Sequence, residues 1–280
     1  MTETDIANLA LALIGGKSLS DLDNDTTPQA VSCRKWFDTA RDEALSAQNW
    51  NFAAKRDRLT TSYTSLSGTA VTSNSGTIRI TSTSHGLLTG YRVYVGDVEG
   101  VTAANGYWYI TKIDADTFDL YGSVFSGTYT SSTGKFVRVP VFSWKRWFTL
   151  PTDCIKLRRL QDGYQSDGDI EEAEQRITEP YKVEDGKVLA NVETAFINYT
   201  YRNETTTTWT AEFITAFSTL LAAYIAPDLM GTSGKAAEMR ERYEKLMLPN
   251  ARGRDAREGV GSTPSNFLTG SKFYNSRFSA

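Results

Sequence analysis

The chain has 280 residues, of which 30 are Lys or Arg and 33 are Asp or Glu, so its formal net charge is -3. Its 40% hydrophobic and 12% aromatic content is ordinary for a folded protein, and its length allows one large core or two smaller ones. This balance does not favour a nucleic-acid-binding surface, and two cysteines, Cys33 and Cys154, without a CxxC or histidine companion exclude a cysteine-rich zinc site.

Two helices are predicted near the N-terminus. Apolar residues recur with helical spacing between Thr4 and Ile14, and a Gly-Gly pair follows as a stop. Thr27 before Pro28 is typical of a helix start, and the same spacing then continues towards "QNWNF". The apolar run at residues 9–14 is much shorter than the roughly 20 residues that cross a bilayer, so no membrane segment is predicted.

The segment from Ser62 to Pro140 has a different character. It is rich in Gly, Ser and Thr, and it contains the strand-like runs "TIRIT", "YRVYVGDV", "GYWYITKI", "TFDLYG" and "KFVRV". Turn signals such as Asn105-Gly106 lie between these runs. We therefore predict an inserted all-β module of about five or six strands, arranged as a barrel or sandwich.

Strands of a second sheet and two further helices are predicted after this module. The runs "WKRWF", "YKVEDGKVLA" and "AFINYTYR" are typical of strands, and Asp185-Gly186 marks a hairpin. Helical spacing returns in "TAEFITAFSTLLAAYIA", where Pro227 is expected to end the helix, and Ser233 is placed to begin the next one. The two early and two late helices have apolar stripes that can bury one another.

The last segment, residues 259–280, has no hydrophobic period and is rich in Gly and Ser. It nevertheless contains four aromatic residues, Phe267, Phe273, Tyr274 and Phe278. An arm that becomes ordered on a partner surface explains these aromatic side chains. A flexible tail with incidental aromatics is the alternative interpretation.

These elements together predict an α+β fold. It consists of an antiparallel helical bundle with a small antiparallel sheet, an inserted all-β barrel or sandwich module, and an extended C-terminal arm. The predicted domains are residues 1–61 with 141–258 for the helical core and its sheet, 62–140 for the β module, and 259–280 for the arm. The early helices need apolar partners from later in the chain, which is why the outer segments are assigned to one core.

His85 is the only histidine in the chain, so it is the first candidate for a catalytic base. Nucleophilic catalysis also requires a Ser or Cys on a strained turn and a carboxylate that orients the base, and no GxSxG motif occurs. His85 precedes Gly86 between two strand-like runs. We therefore predict that it shapes a tight connection between strands.

Three other patterns are weak as functional sites. Asp21, Asp23 and Asp25 have the spacing of the first calcium-loop ligands, but the required Gly and closing Glu are absent, which favours a loop before a helix. An acidic segment with Asp167, Asp169, Glu171 and Glu172 could hold a weak cation, but a solvated loop is commoner. "WKRWF" could stack bases and bind phosphates, but an alternating strand is commoner. No P-loop or GxGxxG occurs, and we predict no catalytic residue, cofactor or metal site.

Several segments, taken together, carry a family resemblance. They are "IANLALALIGG", "CRKWFDTARDEALSAQNWNFAAKRDRL", "FTLPTDCIKLRRL", "INYTYRNETTTTWTAEFITAFSTLLAAYIAPDLMG" and "AAEMRERYEKLMLPNARGRDARE". Over about residues 5–61 and 142–258 the chain resembles the head-to-tail adaptor family of tailed bacteriophages, also called tail tubular protein A. The most specific features are "NWNFA", then "LP-DC", then "YRN…W…F". Residues 62–140 lie outside this resemblance and are similar to small β modules of phage tail and structural proteins.

The resemblance implies a non-enzymatic ring, typically of about twelve copies, that docks below the portal and continues the DNA channel into the tail. The implied partners are other copies of the chain, the portal protein, a tail nozzle protein similar to tail tubular protein B, and tail fibres at the β module. Genomic DNA would pass through the lumen without specific binding, and the ring would lie in the virion neck after assembly in the host cytoplasm. The residues expected to contact a partner are Phe267, Phe273, Tyr274, Arg277 and Phe278.

A second function remains as the alternative. It is a tail-associated carbohydrate-binding protein, or one that degrades cell wall or capsule. The aromatic-rich β module and the acidic segment 167–172 motivate it, because paired carboxylates perform glycoside hydrolysis. An assay on cell-wall or capsule polysaccharide separates a degrading protein from an adaptor.

Overall fold

The computed structural model of the chain describes residues 1–162, 178–231 and 233–258. Its α-helices are α1 (Glu3–Leu13), α2 (Pro28–Ser46), α3 (Ala211–Met230), α4 (Ser233–Arg242) and α5 (Leu248–Glu258), with a π-helical turn over Tyr243–Met247. Short 3-10 turns cover Asn51–Ala53, Thr102–Ala104 and Thr206–Thr208. The strands are β1 (Ala54–Thr60), β2 (Thr64–Ser65), β3 (Val71–Asn74), β4 (Thr77–Thr81), β5 (Arg92–Gly96), β6 (Gly106–Lys112), β7 (Thr117–Leu120), β8 (Lys135–Val139), β9 (Arg146–Thr149), β10 (Cys154–Asp162), β11 (Tyr181–Glu184), β12 (Lys187–Ala190) and β13 (Thr194–Tyr201).

The described strands form three sheets, and the predicted fold class is wrong. The largest sheet has seven antiparallel strands in the order β2-β8-β5-β6-β7-β4-β3. Two three-stranded sheets have the orders β11-β12-β9 and β1-β13-β10. The chain is therefore rich in β-structure rather than a helical bundle with a small sheet, and its largest sheet is open at β2 and β3 rather than closed into a barrel. The predicted C-terminal arm lies outside the described residues.

The error has a physical cause, because hydrophobic spacing identifies strands but not their partners. The five strand-like runs of the Gly/Ser/Thr-rich segment correspond to β4, β5, β6, β7 and β8. The sequence pattern misses β2 and β3, which are short and largely polar, as edge strands often are. β2 pairs with β8 through Thr64 and Phe136, a pairing that joins distant parts of the segment and adds a strand to the sheet.

Two compact units divide the chain. Unit 1 comprises Met1–Lys55, Asp153–Lys156 and the described residues from Tyr199 onward. Unit 2 comprises Arg56–Thr152 and the described residues of Leu157–Asn198. The domain boundaries derived from the sequence stay a prediction.

Helix α3 forms the centre of unit 1. Its buried side chains, which include Phe213, Phe217 and Leu220, pack with apolar side chains of α1 and α2. Pro227 lies inside α3 and does not end it, contrary to the sequence prediction, and the helix stops at Gly231, whose φ of 63° suits glycine. By length and composition α3 could cross a membrane, but 61% of the relevant window is buried inside the protein, as in the core helix of a globular unit.

The π-helical turn between α4 and α5 follows from Pro249. Proline has no N–H, and its ring clashes with the carbonyl group four residues earlier in a regular α-helix. The backbone widens instead, so that the N–H of Leu248 donates to the carbonyl oxygen of Tyr243, five residues before it. The helical direction therefore continues past the proline.

The seven-stranded sheet supplies the core of unit 2. One face of its central strands carries Ile80, Val93, Val95, Ile110 and Phe118, all buried, because alternate residues of a strand point to the same face. The loops above this face approach each other closely at Gly100, where an added Cβ would lie 1.8 Å from the carbonyl oxygen of Thr128. Only glycine fits at this position.

Gly100→Ala should destabilise the protein more than Gly122→Ala. Both glycines have similar positive φ values, 77° and 75°, so both substitutions carry the same backbone cost of about 1 kcal/mol. An added Cβ at Gly122 meets nothing within 4 Å, whereas the Gly100 substitution should cost about 1–3 kcal/mol more through overpacking. Urea unfolding of the two variants measures the difference, and equal losses would contradict the close approach.

Candidate functional site

The segments that carry the family resemblance meet in unit 1. We call six residues from these segments the motif cluster: Trp50, Asp153, Arg202, Asn203, Trp209 and Phe213. Trp50 lies between α2 and β1, and Asp153 directly precedes β10. The other members lie between β13 and α3, except Phe213, which belongs to the first turn of α3. Their contacts define what this part of the molecule can do.

Asp153 connects three separate stretches of the chain. Its Oδ2 accepts a hydrogen bond from Lys55 Nζ at 2.7 Å, and its Oδ1 accepts one from Tyr199 Oη at 3.1 Å. Its carbonyl oxygen accepts from the backbone N–H of Arg202 at 2.7 Å. Asp153 therefore fixes the ends of β1, β10 and β13 that belong to unit 1.

Arg202 and Asn203 join the end of β13 to the helices. The Arg202 guanidinium binds both carboxylate oxygens of Asp42, with Nε–Oδ1 at 3.0 Å and NH2–Oδ2 at 2.7 Å. Asn203 is fully buried, and its side chain donates to Thr208 Oγ1 at 2.8 Å and accepts from the N–H of Thr205 at 3.0 Å. The side chains of Arg202 and Asn203 thus bind other groups of the same unit.

The aromatic members of the motif cluster pack around Phe213. The ring centroid of Phe213 lies 5.1 Å from that of Trp50 and 5.0 Å from that of Trp209, both in edge-to-face geometry. Trp50 Nε1 donates to the carbonyl oxygen of Ala44, and Trp209 Nε1 donates to that of Asn203. Such pairs contribute about 0.5–1.5 kcal/mol each beyond their buried area.

The chemistry of the motif cluster is structural. Its polar groups bind other groups of the fold and do not converge on a cavity, which a catalytic site requires. Burial raises the pKa of the Cys33 thiol to about 11 and also raises the pKa of Cys154, so neither thiol is a ready nucleophile at neutral pH. Within residues 1–162, 178–231 and 233–258, no group of three or more His, Cys, Asp or Glu side chains could hold a metal ion.

Unit 2 contains a buried arginine that the sequence analysis treats only as part of "WKRWF". Arg146 is 1% exposed; its NH1 donates to Tyr107 Oη at 2.8 Å, and its NH2 donates to both carboxylate oxygens of Glu193. Its Cζ atom lies 4.4 Å from the ring centroid of Tyr94. Burial by itself would lower the pKa of Arg146, but the charge of Glu193 and the tyrosine hydroxyls raise it. The guanidinium of Arg146 is therefore buried inside the protein and is not accessible to phosphate groups. The interpretation of "WKRWF" as an alternating strand is confirmed by β9.

Unit 2 also contains an open cavity of about 350 Å³, which we call the aromatic pocket. One wall consists of Phe142, Trp144 and Trp147. Phe142 is 74% exposed, and Trp147 is half-buried with Lys187 Nζ 4.5 Å from its ring centroid. The sequence signal was present in the aromatic spacing of "VFSWKRW", but periodicity alone does not distinguish a pocket wall from a core strand.

Two turns with positive φ hold the walls of the aromatic pocket. Ser143 has a φ of 68°, and the N–H of Trp144 donates to the carbonyl oxygen of Phe142 at 2.8 Å, which forms a γ-turn of the rare, strained type. On the opposite side, Asp185 and Gly186 have φ values of 50° and 67° and connect β11 to β12. The hairpin predicted at Asp185-Gly186 is confirmed.

His85 lies on the connection between β4 and β5, as the sequence predicts. Its backbone N–H donates to the carbonyl oxygen of Ala115, and its Nδ1 accepts from the N–H of Leu87 at 3.0 Å. Its ring packs edge-to-face on Phe118 with the centroids 5.1 Å apart. These contacts are those of a turn residue.

The remaining sequence candidates are placed as follows. Asp25 accepts from the backbone N–H of Thr27 and Asp21 accepts from that of Asp23, so the "DLDNDT" carboxylates organise the loop before α2. The acidic residues Asp167, Asp169, Glu171 and Glu172 lie outside the described residues. The predicted partner-contact residues Phe267, Phe273, Tyr274, Arg277 and Phe278 lie outside them as well.

Comparison with known proteins gives little similarity. No protein-family profile matches the chain, and no curated protein matches it. One matching solved structure is described as the Phage phi92 endosialidase, with 27% identity over 30% of this chain and 12% of that chain, and a TM-score of 0.20. The chain thus matches about an eighth of that protein's length, and a TM-score of 0.20 does not indicate a common overall fold.

The stability that the Asp153 interactions contribute should depend on pH. Burial by itself would raise the pKa of Asp153, but the hydrogen bonds from Lys55 and Tyr199 outweigh it and lower the pKa. The resulting stabilisation is present above the unfolded-state pKa of about 3.9 and is lost as the pH falls through the folded-state value. Asp153→Asn should therefore reduce the free energy of unfolding by about 1 kcal/mol at neutral pH and by less at about pH 3.

Urea unfolding of both proteins at the two pH values checks this prediction. The matched control is Asp57→Asn, which removes an exposed carboxylate of β1. A difference between wild type and Asp153→Asn that stays constant with pH would contradict a role for the Asp153 charge.

His85→Asn should lower the stability of the fold only slightly. The asparagine Oδ1 can accept the hydrogen bond from the Leu87 N–H, and the lost ring contact with Phe118 costs about 1 kcal/mol. Thermal unfolding of the variant provides the measurement. A loss of stability well above this value would show that the imidazole does more than shape the turn.

Proposed function

We propose that this chain is a structural protein of a tailed-bacteriophage virion, the head-to-tail adaptor of the neck. Copies of the chain form a closed ring of about twelve subunits through repeated heterologous contacts. The ring docks below the portal, holds the tail nozzle protein on its other side and continues the DNA channel. The proposal assigns the chain no catalytic step.

The convergence of the motif cluster is the observation that supports this proposal. The resemblance rests on segments that lie far apart in the sequence, and residues from these segments bond directly to one another. Asp153 binds Lys55 and Tyr199, while Arg202 binds Asp42. Contacts that hold helices and strands in a fixed arrangement suit a structural protein such as an adaptor.

The charge of the chain also agrees with an adaptor ring. DNA binding strengthens with the number of phosphates that Lys and Arg neutralise, and a channel through which a genome slides must avoid strong binding. The formal net charge is -3, and the buried Arg146 is already paired with Glu193. Neither feature favours tight DNA binding.

The aromatic side chains of residues 259–280 are proposed to contact the portal or a neighbouring subunit. Replacing Phe267, Phe273, Tyr274 and Phe278 together by Ser should abolish association with the portal, because these side chains supply the apolar area that an ordering segment buries. The unfolding midpoint should be unchanged. Native mass measurement of the chain mixed with its portal reports the association.

The matched control is Thr269→Ala with Ser271→Ala, which alters the same segment without removing aromatic area. A stoichiometric ring complex for wild type and for the control supports the proposal. A wild-type chain that stays monomeric with its portal would count against the adaptor function itself, and an aromatic variant that still associates would count against the arm.

A further inference from the structure

We propose that the aromatic pocket of unit 2 binds a neutral saccharide. The cavity of about 350 Å³ lies within the range of about 300–1,000 Å³ typical of small-molecule sites. The inference does not rest on the adaptor function.

The pocket has one apolar wall and one charged wall. Phe142, Trp144 and Trp147 form the apolar wall, with Leu189 beside Trp147, because these two residues are directly opposite each other in the β12–β9 pair. The charged wall comes from a single hairpin and consists of Lys182, Glu184, Asp185 and Lys187. A pyranose ring has the matching chemistry, since its C–H faces pack on aromatic rings and its hydroxyl edge both donates and accepts hydrogen bonds.

The charges of the hairpin distinguish a sugar from other ligands. Two ammonium groups and two carboxylates give a net charge of zero, and Lys182 is paired with Glu184. An anionic ligand such as a nucleic acid would meet no excess positive charge. A purely apolar peptide would remove four charged side chains from water without offering them any hydrogen bond, which is costly.

The pocket is held in position before any ligand binds. The γ-turn at Ser143 fixes Phe142 relative to Trp144, and strained residues of this kind concentrate at ligand-binding positions. Asn191 Oδ1 accepts from the N–H of Lys145 at 3.0 Å, and Tyr109 Oη donates to the carbonyl oxygen of Val141 at 2.9 Å. Both bonds anchor the loop that carries the aromatic wall, which lowers the entropic cost of binding.

Titration of the full chain with neutral hexose and N-acetylhexosamine hexamers, followed by tryptophan fluorescence and calorimetry, tests the proposal. At least one oligosaccharide should bind, and Phe142→Ala and Trp144→Ala should each weaken binding by about tenfold or more. The matched control is Tyr121→Ala, because Tyr121 is 72% exposed and Phe142 is 74% exposed. The control should bind as the wild type does.

Three outcomes would overturn the proposal. They are an absence of binding to any of these sugars, binding that Phe142→Ala and Trp144→Ala leave unchanged, and a loss of portal association in Phe142→Ala without any sugar binding, which would make the surface a protein interface. Thermal unfolding of each variant shows whether a loss of sugar binding reflects misfolding. Phe142→Ala is the safer of the two variants, because the exposed ring of Phe142 contributes little to the core.

Discussion

The fold of unit 1 depends on Asp153, which connects three stretches of chain that are far apart in the sequence. The chain leaves unit 1 at Lys55, returns briefly for Asp153–Lys156, and returns again at Tyr199. A long excursion between fixed points adds only a slowly growing entropic cost, provided that its ends are held. Asp153 holds these ends through its bonds to Lys55, to Tyr199 and to the backbone of Arg202. The segments of unit 2 can therefore be inserted between those of unit 1 without disturbing the packing around α3.

Unit 2 meets a different requirement, the burial of a charge. Arg146 is almost completely buried, whereas the side chain of its partner Glu193 is 67% exposed, so water reaches one half of this ion pair. Glu193 accepts from NH2 of the guanidinium and the hydroxyl of Tyr107 accepts from NH1, while the ring of Tyr94 packs against the group. The same strand that buries Arg146 presents Trp147 to the aromatic pocket, since neighbouring residues of a strand point to opposite sides. Strand β9 thus contributes both a buried charge and part of the wall of the aromatic pocket.

Sequence reasoning predicts local elements well where the signal is local. Thr27 with Pro28 begins α2, Asp185-Gly186 forms its hairpin, and His85 lies on a turn. It fails where the outcome depends on distant partners. The seven-stranded sheet includes the pairing of β2 with β8, which joins distant parts of the chain. Pro227 stays inside α3, and the residue after it, Asp228, accepts a hydrogen bond from Trp36 of α2.

The candidate site divides in the same way. The motif residues are recognisable from their order in the sequence, but the bonds that join Asp153 to Lys55 and Arg202 to Asp42 emerge only when the fold brings them together. The aromatic spacing of "VFSWKRW" does not predict the aromatic pocket, because the second wall comes from a segment some forty residues further along the chain. In both cases the folded structure, and not the sequence pattern, determines whether an aromatic or charged side chain lies in the core or at the surface.

Electron microscopy of the purified chain, alone and with its portal, tests the central claim most directly. The adaptor account predicts a closed ring, seen end-on as a rotationally symmetric particle and seen from the side as a layer below the portal. Monomers that never associate with the portal, or binding at a place other than the portal's tail-facing end, would contradict the account.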